Sequence, residues 1–281
     1  MGSMPDHPRE WTLERVGDSF AVARECQEHF KTTVWFRGHG RAEWALVPKV
    51  CRPDVRRGME KFAFELAMAE HFRRKAPTRR SSVPDRDDYA AWLSLMQHYG
   101  LPTRLLDWSE SILVAMYFAC TEVSHQAVDG VVWALAPNRL NLATLGTEAM
   151  VTASDPVGRV ATFLPFGRVQ VSDLEFQGMA DRIEGGVIAF DPVEDDIRML
   201  VQQSRFTLHG SIDDVSKHVA APSFLCRIKI PGSLKIPLAQ ALAAAGIRRS
   251  TMFPDLENLS RELERESTFW TSELADIKRS P

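Results

Sequence analysis

The apolar residues of this chain follow two spacings, one typical of amphipathic helices and one typical of strands. The helices predicted in the first half cover residues 14–31, 54–76 and 87–99. In the second of them Met59, Phe62, Leu66 and Ala69 recur at intervals of three and four residues. The third ends at Gly100, with a proline soon after, which is a usual helix exit.

Short apolar runs predict the strands. These runs lie at 33–37, 130–136, 186–190 and 224–230. Between 137 and 185 the pattern is mixed and is interpreted as short candidate strands. Helices are predicted again over 237–245 and from 254 to about 277, where Leu256, Leu259 and Leu263 broadly share one face. Strands and helices that alternate irregularly favour an α+β fold with a mixed or antiparallel central sheet flanked by helices.

Residues 97–109 fit neither spacing. Within thirteen positions they hold two groups able to carry a cation or a proton, a phenol, a hydroxyl and a carboxylate, and the apolar run 112–119 follows directly. This mixture is typical of the wall of a binding site. Asp107 and Glu110 also have the N-cap and N3 spacing of a capping box, which predicts that a helix begins after Asp107.

The composition is that of an ordinary globular chain. Of 281 residues, 44% are hydrophobic and 25% are charged. We expect one domain over 14–281, after a tag remnant and disordered start over 1–13. No apolar run approaches the roughly 20 residues of a membrane helix, and the start lacks the pattern of a signal peptide. A cytoplasmic location without membrane contact is the expectation.

The cysteines and histidines predict no metal site. Cys26, Cys51, Cys120 and Cys226 are widely spaced, and no pair has the spacing of metal ligands. We expect them to be buried free thiols. The eight histidines form no pair at helical ligand spacing.

Charge is unevenly distributed, although the net charge is only −3. Residues 52–86 hold ten arginines and lysines and five acidic residues, and a basic helical insertion is expected at about 54–88. One interpretation is a surface that faces the phosphates of a nucleotide or a nucleic acid. The other is a solvated helix face with pairs such as Arg56–Glu60 and Lys61–Glu65.

Several segments together resemble one known family. They are Phe36-Arg37-Gly38, Trp44-Ala45-Leu46-Val47-Pro48, the stretch from His98 to Trp108, and the later segments 130–135, 202–210 and 252–259. The chain resembles the FRG domain family, named for the first tripeptide, over about residues 33–260.

A second, more distant resemblance concerns chemistry. An arginine that opens a core strand before a glycine, as Arg37 does, is similar to the first motif of mono-ADP-ribosyltransferases, where it anchors the phosphate and ribose of NAD. The segment 115–119 resembles the Tyr-Phe-Ala stretch of the poly-ADP-ribose polymerase branch. The resemblance implies an ADP-ribosyltransferase-like fold with NAD as substrate. Glu257 or Asp255 would be the late acidic residue that holds the nicotinamide ribose. The sequence has no Ser-Thr-Ser strand of that family, and no Glu-x-Glu or Gln-x-Glu pair stands in a turn before a strand.

The resemblance assigns site residues, and most have a structural alternative. Arg37 or Arg104 would hold the pyrophosphate, and Gly38 and Gly40 would let a phosphate approach. The other predicted nucleotide contacts are Tyr99, Thr103, Tyr117 and Phe206 with His98, Thr207 and His209, and His98 is also a candidate catalytic residue. The structural alternatives are a helix cap for Asp107, an Arg104–Asp107 pair, a core position for Tyr117, a turn for His209 and a Glu257–Arg261 pair.

These observations favour an NAD-dependent ADP-ribosyltransferase-like or NAD-hydrolysing effector. By resemblance it would be a toxin or phage-defence component with an antitoxin or defence-system partner, acting on nucleic acid or protein. The first alternative is a non-catalytic nucleic-acid or nucleotide-binding module. The second is a metal-independent nuclease that uses His98, His209 and Asp107. P-loop, dinucleotide-fold and serine-hydrolase motifs do not occur in the sequence.

Overall fold

The computed structural model describes residues 7–56, 63–153, 155, 157, 158, 161, 182, 183, 185–191, 197–211 and 213–264. Within them, eight strands form one sheet. The strands are β1 (Arg9–Thr12), β2 (Trp35–His39), β3 (Leu105–Ser109), β4 (Gly130–Leu135), β5 (Val151–Thr152), β6 (Val187–Asp191), β7 (Ser204–His209) and β8 (Leu225–Ile230).

The sheet is flanked by helices. They are α1 (Ser19–Phe30), α2 (Pro53–Arg56), α3 (Ala63–Lys75), α4 (Tyr89–His98), α5 (Ile112–Cys120), α6 (Pro137–Leu145), α7 (Ile197–Val201), α8 (Ala221–Phe224), α9 (Gly232–Ala244), α10 (Arg249–Met252) and α11 (256–264). The strand order is β1-β8-β4-β2-β3-β7-β6-β5. Only the edge pairs β1–β8 and β5–β6 are parallel, and the other neighbours are antiparallel. The predicted α+β class with a mixed, helix-flanked sheet is confirmed.

The sheet opens at its centre, between β2 and β3. Strand β2 pairs with β4 along its whole length, and β3 pairs with β7 along its whole length. The two inner strands meet only where Phe36 faces Ser109. Beyond that pair their backbones diverge, so the side chains near Arg37 and Asp107 border a gap in the sheet.

The two faces of the sheet have different cores. On one face α5, α1 and α9 pack over Phe36, Val132 and Ile228. A Cβ atom at Gly38 would lie 1.8 Å from the carbonyl oxygen of Ala115 in α5, so only glycine lets β2 and α5 approach this closely. The opposite face buries Trp35, which belongs to a second cluster that also contains the tryptophans of β3 and β4.

Most predicted elements occur with shifted ends. Helices α1, α3 and α4 and strands β4 and β8 fall within the predicted segments. Strands β2 and β6 overlap their predicted segments but end later, at His39 and Asp191. Helix α9 begins at Gly232, before the predicted start, and Pro237 lies inside it. Of the helix predicted over 254–277, residues 256–264 are helical, and the remainder lies outside the described residues, as do Met59 and Phe62.

Two predictions were wrong. Asp107 is no helix cap, because residues Leu105–Ser109 form strand β3 and pair with β7, and α5 begins only at Ile112 with Ser111 at its N-cap. The start was expected to be disordered up to residue 13, but Arg9–Thr12 form β1. This strand is ordered because it adds in parallel to the free edge of β8. The sequence also missed β7 as a strand and α6, which lies in the segment interpreted as short strands.

Candidate nucleotide-binding cavity

A cavity of about 740 Å³ occupies the opening between β2 and β3. Its walls come from both strands, the loop that follows β2, the residues after α4, one face of α5 and the segment that leads into β7. This volume is within the range of ordinary small-molecule sites. The cavity therefore places the Phe-Arg-Gly tripeptide and the polar segment 97–109 on opposite sides of one space.

Arg37 lies between the two walls. Its Nη1 donates to the backbone oxygen of Asp107 at 2.6 Å and is 3.8 Å from the Asp107 carboxylate. Its Nε donates to Nε2 of His39 at 3.1 Å. The guanidinium thus satisfies a carbonyl of β3 that has no strand partner on this side. The side chain is 16% exposed, and Nη2 forms no hydrogen bond with any described residue.

Burial and charge shift two pKa values in this corner. Burial lowers the pKa of Arg37 to about 10, and nearby Arg52 adds to this while Asp107 opposes it. Arg37 is therefore a cation at neutral pH. Burial, followed by the charges of Arg37 and Arg52, lowers the pKa of His39 to about 3. His39 is consequently neutral, and since Nε2 accepts from Arg37, its proton belongs on Nδ1.

The opposite wall carries a chain of polar side chains. Nε2 of Gln97 donates to the Asp107 carboxylate at 2.9 Å, and the buried Thr103 hydroxyl donates to Oε1 of Gln97. The Thr103 hydroxyl also accepts from the backbone N–H of Leu105. Asp107 is half exposed at 55%, so its carboxylate is oriented from behind and still faces the cavity.

Further charges line the same space. The cations are Lys49, Arg52 and Arg198, and the acids besides Asp107 are Asp54 and Glu122. Lys49 donates to the backbone oxygen of Gly100 at 2.7 Å, and this bond links the loop after β2 to the end of α4. Four cations and three carboxylates therefore border the cavity, an arrangement suited to a ligand with several anionic groups and some donors.

Two partly exposed aromatic side chains complete the lining, Trp44 and Phe118. Phe118 contacts Phe253 edge to face, with ring centroids 6.1 Å apart. The guanidinium of Arg198 lies 4.5 Å from the centre of the Phe253 ring. The segment after α10 therefore supports the cavity wall without lining it.

A second polar chain runs just behind the cavity. Trp108 Nε1 donates to the Thr207 hydroxyl at 3.0 Å, and this hydroxyl is 2.9 Å from Nε2 of His209. His209 is completely buried, and burial, helped by Arg37 and Arg104, lowers its pKa to about 3. Thr207 and His209 are therefore interior residues of β7 and lie outside the cavity lining.

Arg104 is also interior. Its backbone N–H and its Nε both donate to the Glu65 carboxylate at 2.7 Å, and both side chains are buried. The predicted Arg104–Asp107 pair is wrong, because Glu65 of α3 provides the carboxylate. Glu65 is completely buried and so is not part of a solvated helix face, and its expected partner Lys61 lies outside the described residues.

The aromatic candidates lie elsewhere. Tyr99 is exposed beside Phe72, and Tyr117 and Phe206 belong to two separate buried clusters. The predicted core position of Tyr117 is confirmed. His98 is half-buried at the end of α4, next to the ring of Tyr99, and is not part of the lining.

The late acidic candidates are likewise outside the lining. Glu257 is exposed and pairs with Arg261 at 2.6 Å, as its structural alternative predicted. Asp255 accepts from the backbone N–H of Asn258 at 2.8 Å at the start of α11, and bonds from Asn258 lower its pKa. Of the predicted site residues the lining contains Arg37, Gly38, Gly40 and Asp107, the last a candidate of the nuclease alternative, and Thr103 lies directly behind it.

Other lining residues were missed, and the sequence held partial signals for them. Gln97 is the first residue of the polar segment, Trp44 lies in a quoted family segment, and Arg52 begins the basic segment. Within that basic segment Arg73 lies over the rings of Tyr89 and Trp92, so part of its charge serves packing.

Three general features complete the description. The four cysteines are buried and unbridged, as predicted. In the described ranges no group of three or more His, Cys, Asp and Glu side chains is placed to hold a metal ion. A search of the same residues finds no helix with the length and apolarity to cross a membrane.

The fold and cavity define an α+β protein with a charged cavity at the opening of its sheet. Residues 32–127 match the family model of the FRG domain, and the chain thus contains an FRG domain. The match begins just before β2 and ends beyond α5, so it includes both strands that border the cavity. No curated protein and no solved structure matches the chain.

Proposed function

We propose that the cavity binds an NAD-like dinucleotide and that the protein breaks its nicotinamide–ribose bond, transferring or hydrolysing ADP-ribose. The observation that carries this proposal is Arg37, a partly exposed cation in the cavity wall whose Nη2 is unused by the described residues. A planar guanidinium with a free edge is suited to bidentate contact with a phosphate.

The other charges of the lining support a phosphate-bearing ligand. Lys49, Arg52 and Arg198 border the same space as Arg37, so a pyrophosphate would meet several cations. Arg52 forms no hydrogen bond through its side chain in the described part of the chain, and its charge acts on Arg37. Binding an anion here would offset this mutual repulsion between cations.

Asp107 is the carboxylate that this geometry favours for the chemical step. As the bond from ribose C1′ to the nicotinamide nitrogen breaks, both electrons leave with nicotinamide and positive charge develops on the sugar. A carboxylate fixed beside the sugar stabilises that charge. Asp107 lines the cavity and is oriented by Gln97, whereas Glu257 and Asp255 lie outside the lining. Water or an acceptor nucleophile then bonds to C1′ and loses its proton.

The test is release of nicotinamide from labelled NAD by the purified protein, alone and with RNA, DNA or protein as acceptor. Arg37→Ala and Asp107→Asn should each lower release at least about 100-fold, as loss of a positioned electrostatic group does. Glu257→Gln and the surface variant Arg139→Ala should retain it. Full activity of Arg37→Ala, or loss of activity only in Glu257→Gln, would contradict the assignment.

The cellular role is a further part of this proposal. A toxin or phage-defence role with an antitoxin or defence-system partner rests on the family resemblance alone. The exposed cations of residues 74–86 favour nucleic acid as acceptor over protein. The buried, unbridged thiols support a reducing compartment such as the cytoplasm.

A non-catalytic nucleotide-binding module is the second candidate. It is favoured by the groups that already compensate the Asp107 carboxylate, which accepts a hydrogen bond from Gln97 and lies 3.8 Å from the Arg37 guanidinium. It would bind NAD with an Arg37-dependent affinity and release no nicotinamide. The nuclease alternative has less support, because His209 is buried and His98 is outside the lining.

A further inference from the structure

We infer that Trp44 is the platform on which the base of the bound nucleotide stacks, and that Lys235 is the positioning residue that holds this platform in the cavity wall. This inference rests on the proposed function in one respect, that the cavity takes a nucleotide. The inference identifies the part of the cavity that binds the base and the residues that recognise the base.

Trp44 differs from the other tryptophans that the structure describes. Trp35, Trp92, Trp108 and Trp133 are each at most 4% exposed, and Trp11 of β1 is half-buried outside the cavity lining. Trp44 is 42% exposed and lines the cavity. Small-molecule sites are commonly lined by aromatic side chains beside a few polar groups, and Trp44 has this position in the cavity.

The rings around Trp44 support it from its edges. His125 is 4.9 Å away, centroid to centroid, at 83° between ring planes, and His39 is 6.2 Å away at 61°. Neither contact is a parallel stack, and the indole has no other ring contact in the described ranges. A planar base can therefore still form the parallel contact with this indole.

Lys235 fixes the two loops that meet at this wall. Although it belongs to α9, its side chain is 1% exposed, and its ammonium donates to the backbone oxygens of Gly40 at 2.5 Å and His125 at 2.8 Å. One carbonyl belongs to the loop that carries Trp44, and the other to the turn that carries the histidine supporting it. A buried ammonium bonded to two carbonyls is costly to displace, because the alternative is an unpaired buried charge.

A second tie holds the same loop from the side. The backbone N–H of Ala42 donates to the backbone oxygen of Asp129 at 2.8 Å. The Asp129 carboxylate in turn accepts from the Gly232 N–H and pairs with Lys229. The loop that carries Trp44 is thus anchored at Gly40 and Ala42, and the indole is preorganised before any ligand arrives.

Trp44 and Arg37 therefore divide recognition of one ligand. Arg37 offers donors to phosphate, and the indole offers an apolar ring to a base, within the same lining. A ligand with a base and a pyrophosphate would use both, whereas a base-free anion would use Arg37 and its neighbouring cations alone.

The experiment is titration calorimetry of ADP and of inorganic pyrophosphate against wild type, Trp44→Ala, Trp44→Phe and Arg37→Ala. The matched control is Phe20→Ala, which removes an exposed ring of α1 away from the cavity lining. In Trp44→Ala the affinity for ADP should fall about 5- to 150-fold, the usual effect of losing one stacked base, with pyrophosphate unchanged. Trp44→Phe should retain most of the ADP affinity, and Phe20→Ala all of it.

Lys235→Met should lower the affinity for ADP more than the affinity for pyrophosphate, because the loop that carries the indole loses its anchor while Arg37 stays in place. An equal loss for both ligands would overturn the positioning role, since it would indicate general damage to the fold.

Failure of the inference and failure of the proposed function give different results. Unchanged ADP affinity in Trp44→Ala, with Arg37-dependent NAD binding intact, overturns the inference alone. Trp44-dependent ADP binding without nicotinamide release and without dependence on Arg37 overturns the proposed function alone. If wild type binds neither ADP nor pyrophosphate, both are overturned.

Discussion

Two arginines from the family segments, Arg37 and Arg104, lie close to the central strands and have different surroundings. Arg104 meets the carboxylate of Glu65 with its backbone N–H and its Nε, and both side chains are shielded from solvent. Arg37 meets only a backbone oxygen and a neutral histidine at short range, and its nearest carboxylate oxygen is 3.8 Å away. Arg104 joins the α3 region to the start of β3, whereas Arg37 borders the gap between β2 and β3.

The difference teaches how to separate a structural arginine from a candidate binding arginine. Burial alone does not distinguish them, since both are largely removed from water. The distinguishing feature is how closely each charge is compensated within the protein. Arg104 has a buried carboxylate at 2.7 Å, and Arg37 needs a further anion to reach the same compensation. We therefore expect substitutions at Arg104 to affect stability and substitutions at Arg37 to affect binding.

The largest effect should follow from breaking the buried pair. Glu65→Leu removes the buried carboxylate that meets the Arg104 guanidinium and backbone N–H, and it should lower the free energy of unfolding by about 3–5 kcal/mol. Urea denaturation measures this. The double variant Glu65→Leu/Arg104→Met should recover most of the loss, and Glu257→Leu, which removes an exposed pair, should change stability by less than about 0.5 kcal/mol. If the Glu65 and Glu257 variants lost similar free energies of unfolding, the buried Arg104–Glu65 pair would be no more structural than an exposed pair.

Gly38→Ala should show that the glycine beside Arg37 serves packing. The added Cβ would overlap the Ala115 carbonyl, and both partners are backbone, so we expect a loss of about 3 kcal/mol in the free energy of unfolding. Gly17→Ala is the matched control, because nothing lies within 4 Å of a Cβ there. If Gly38→Ala were as stable as Gly17→Ala, the close approach of β2 and α5 would be incorrect.

The buried histidines His39 and His209 predict a fall in stability with acid. Both have a pKa of about 3 in the folded protein against an ordinary 6.5, so between these values the unfolded chain binds more protons. The free energy of unfolding therefore falls as the pH falls from 6.5 towards 3, by about 2 kcal/mol per histidine at pH 5.

Urea denaturation at pH 7.5 and pH 5 checks this expectation. His39→Gln and His209→Gln should each reduce the change in the free energy of unfolding between the two pH values. The exposed control His7→Gln should leave this change as it is in the wild type. If neither histidine variant altered the change of the free energy of unfolding with pH, both rings would already take up protons in the folded state.

The smallest effect is expected for the stability of Arg37→Met. This variant loses two hydrogen bonds at a partly exposed position, and the free energy of unfolding should fall by about 1 kcal/mol. A loss as large as that of Glu65→Leu, measured in urea, would mean that Arg37 is as structural as Arg104.

The sequence predicts regular elements well where local spacing and burial agree. Strand β4 is an uninterrupted apolar run, and it is buried at all six positions. Strand β3 was missed because its signals conflict. Asp107 and Glu110 imitate a helix start, and only pairing with β7, far along the chain, makes this segment extended. Strand β1 depends in the same way on β8.

The site divides along similar lines. Arg37 and the polar segment 97–109 could be identified from the sequence, because their charged and polar side chains lie directly beside apolar runs. Trp44 could not, because its exposure is set by loops fixed from α9. The role of Glu65 is equally invisible in sequence, since a carboxylate on a charged helix gives no sign that it is buried.

The strand order also governs how the protein can assemble during synthesis. Strand β1 leaves the ribosome well before β8, its one neighbour among the described strands, and β8 also completes one side of β4. Translation adds about 5–20 residues per second, so the edge of β4 stays unpaired for many seconds before β8 has been synthesised. An open edge in a half-made sheet is a site for pairing with other chains. Nascent protein should therefore need shielding by a chaperone until residues 225–230 have emerged.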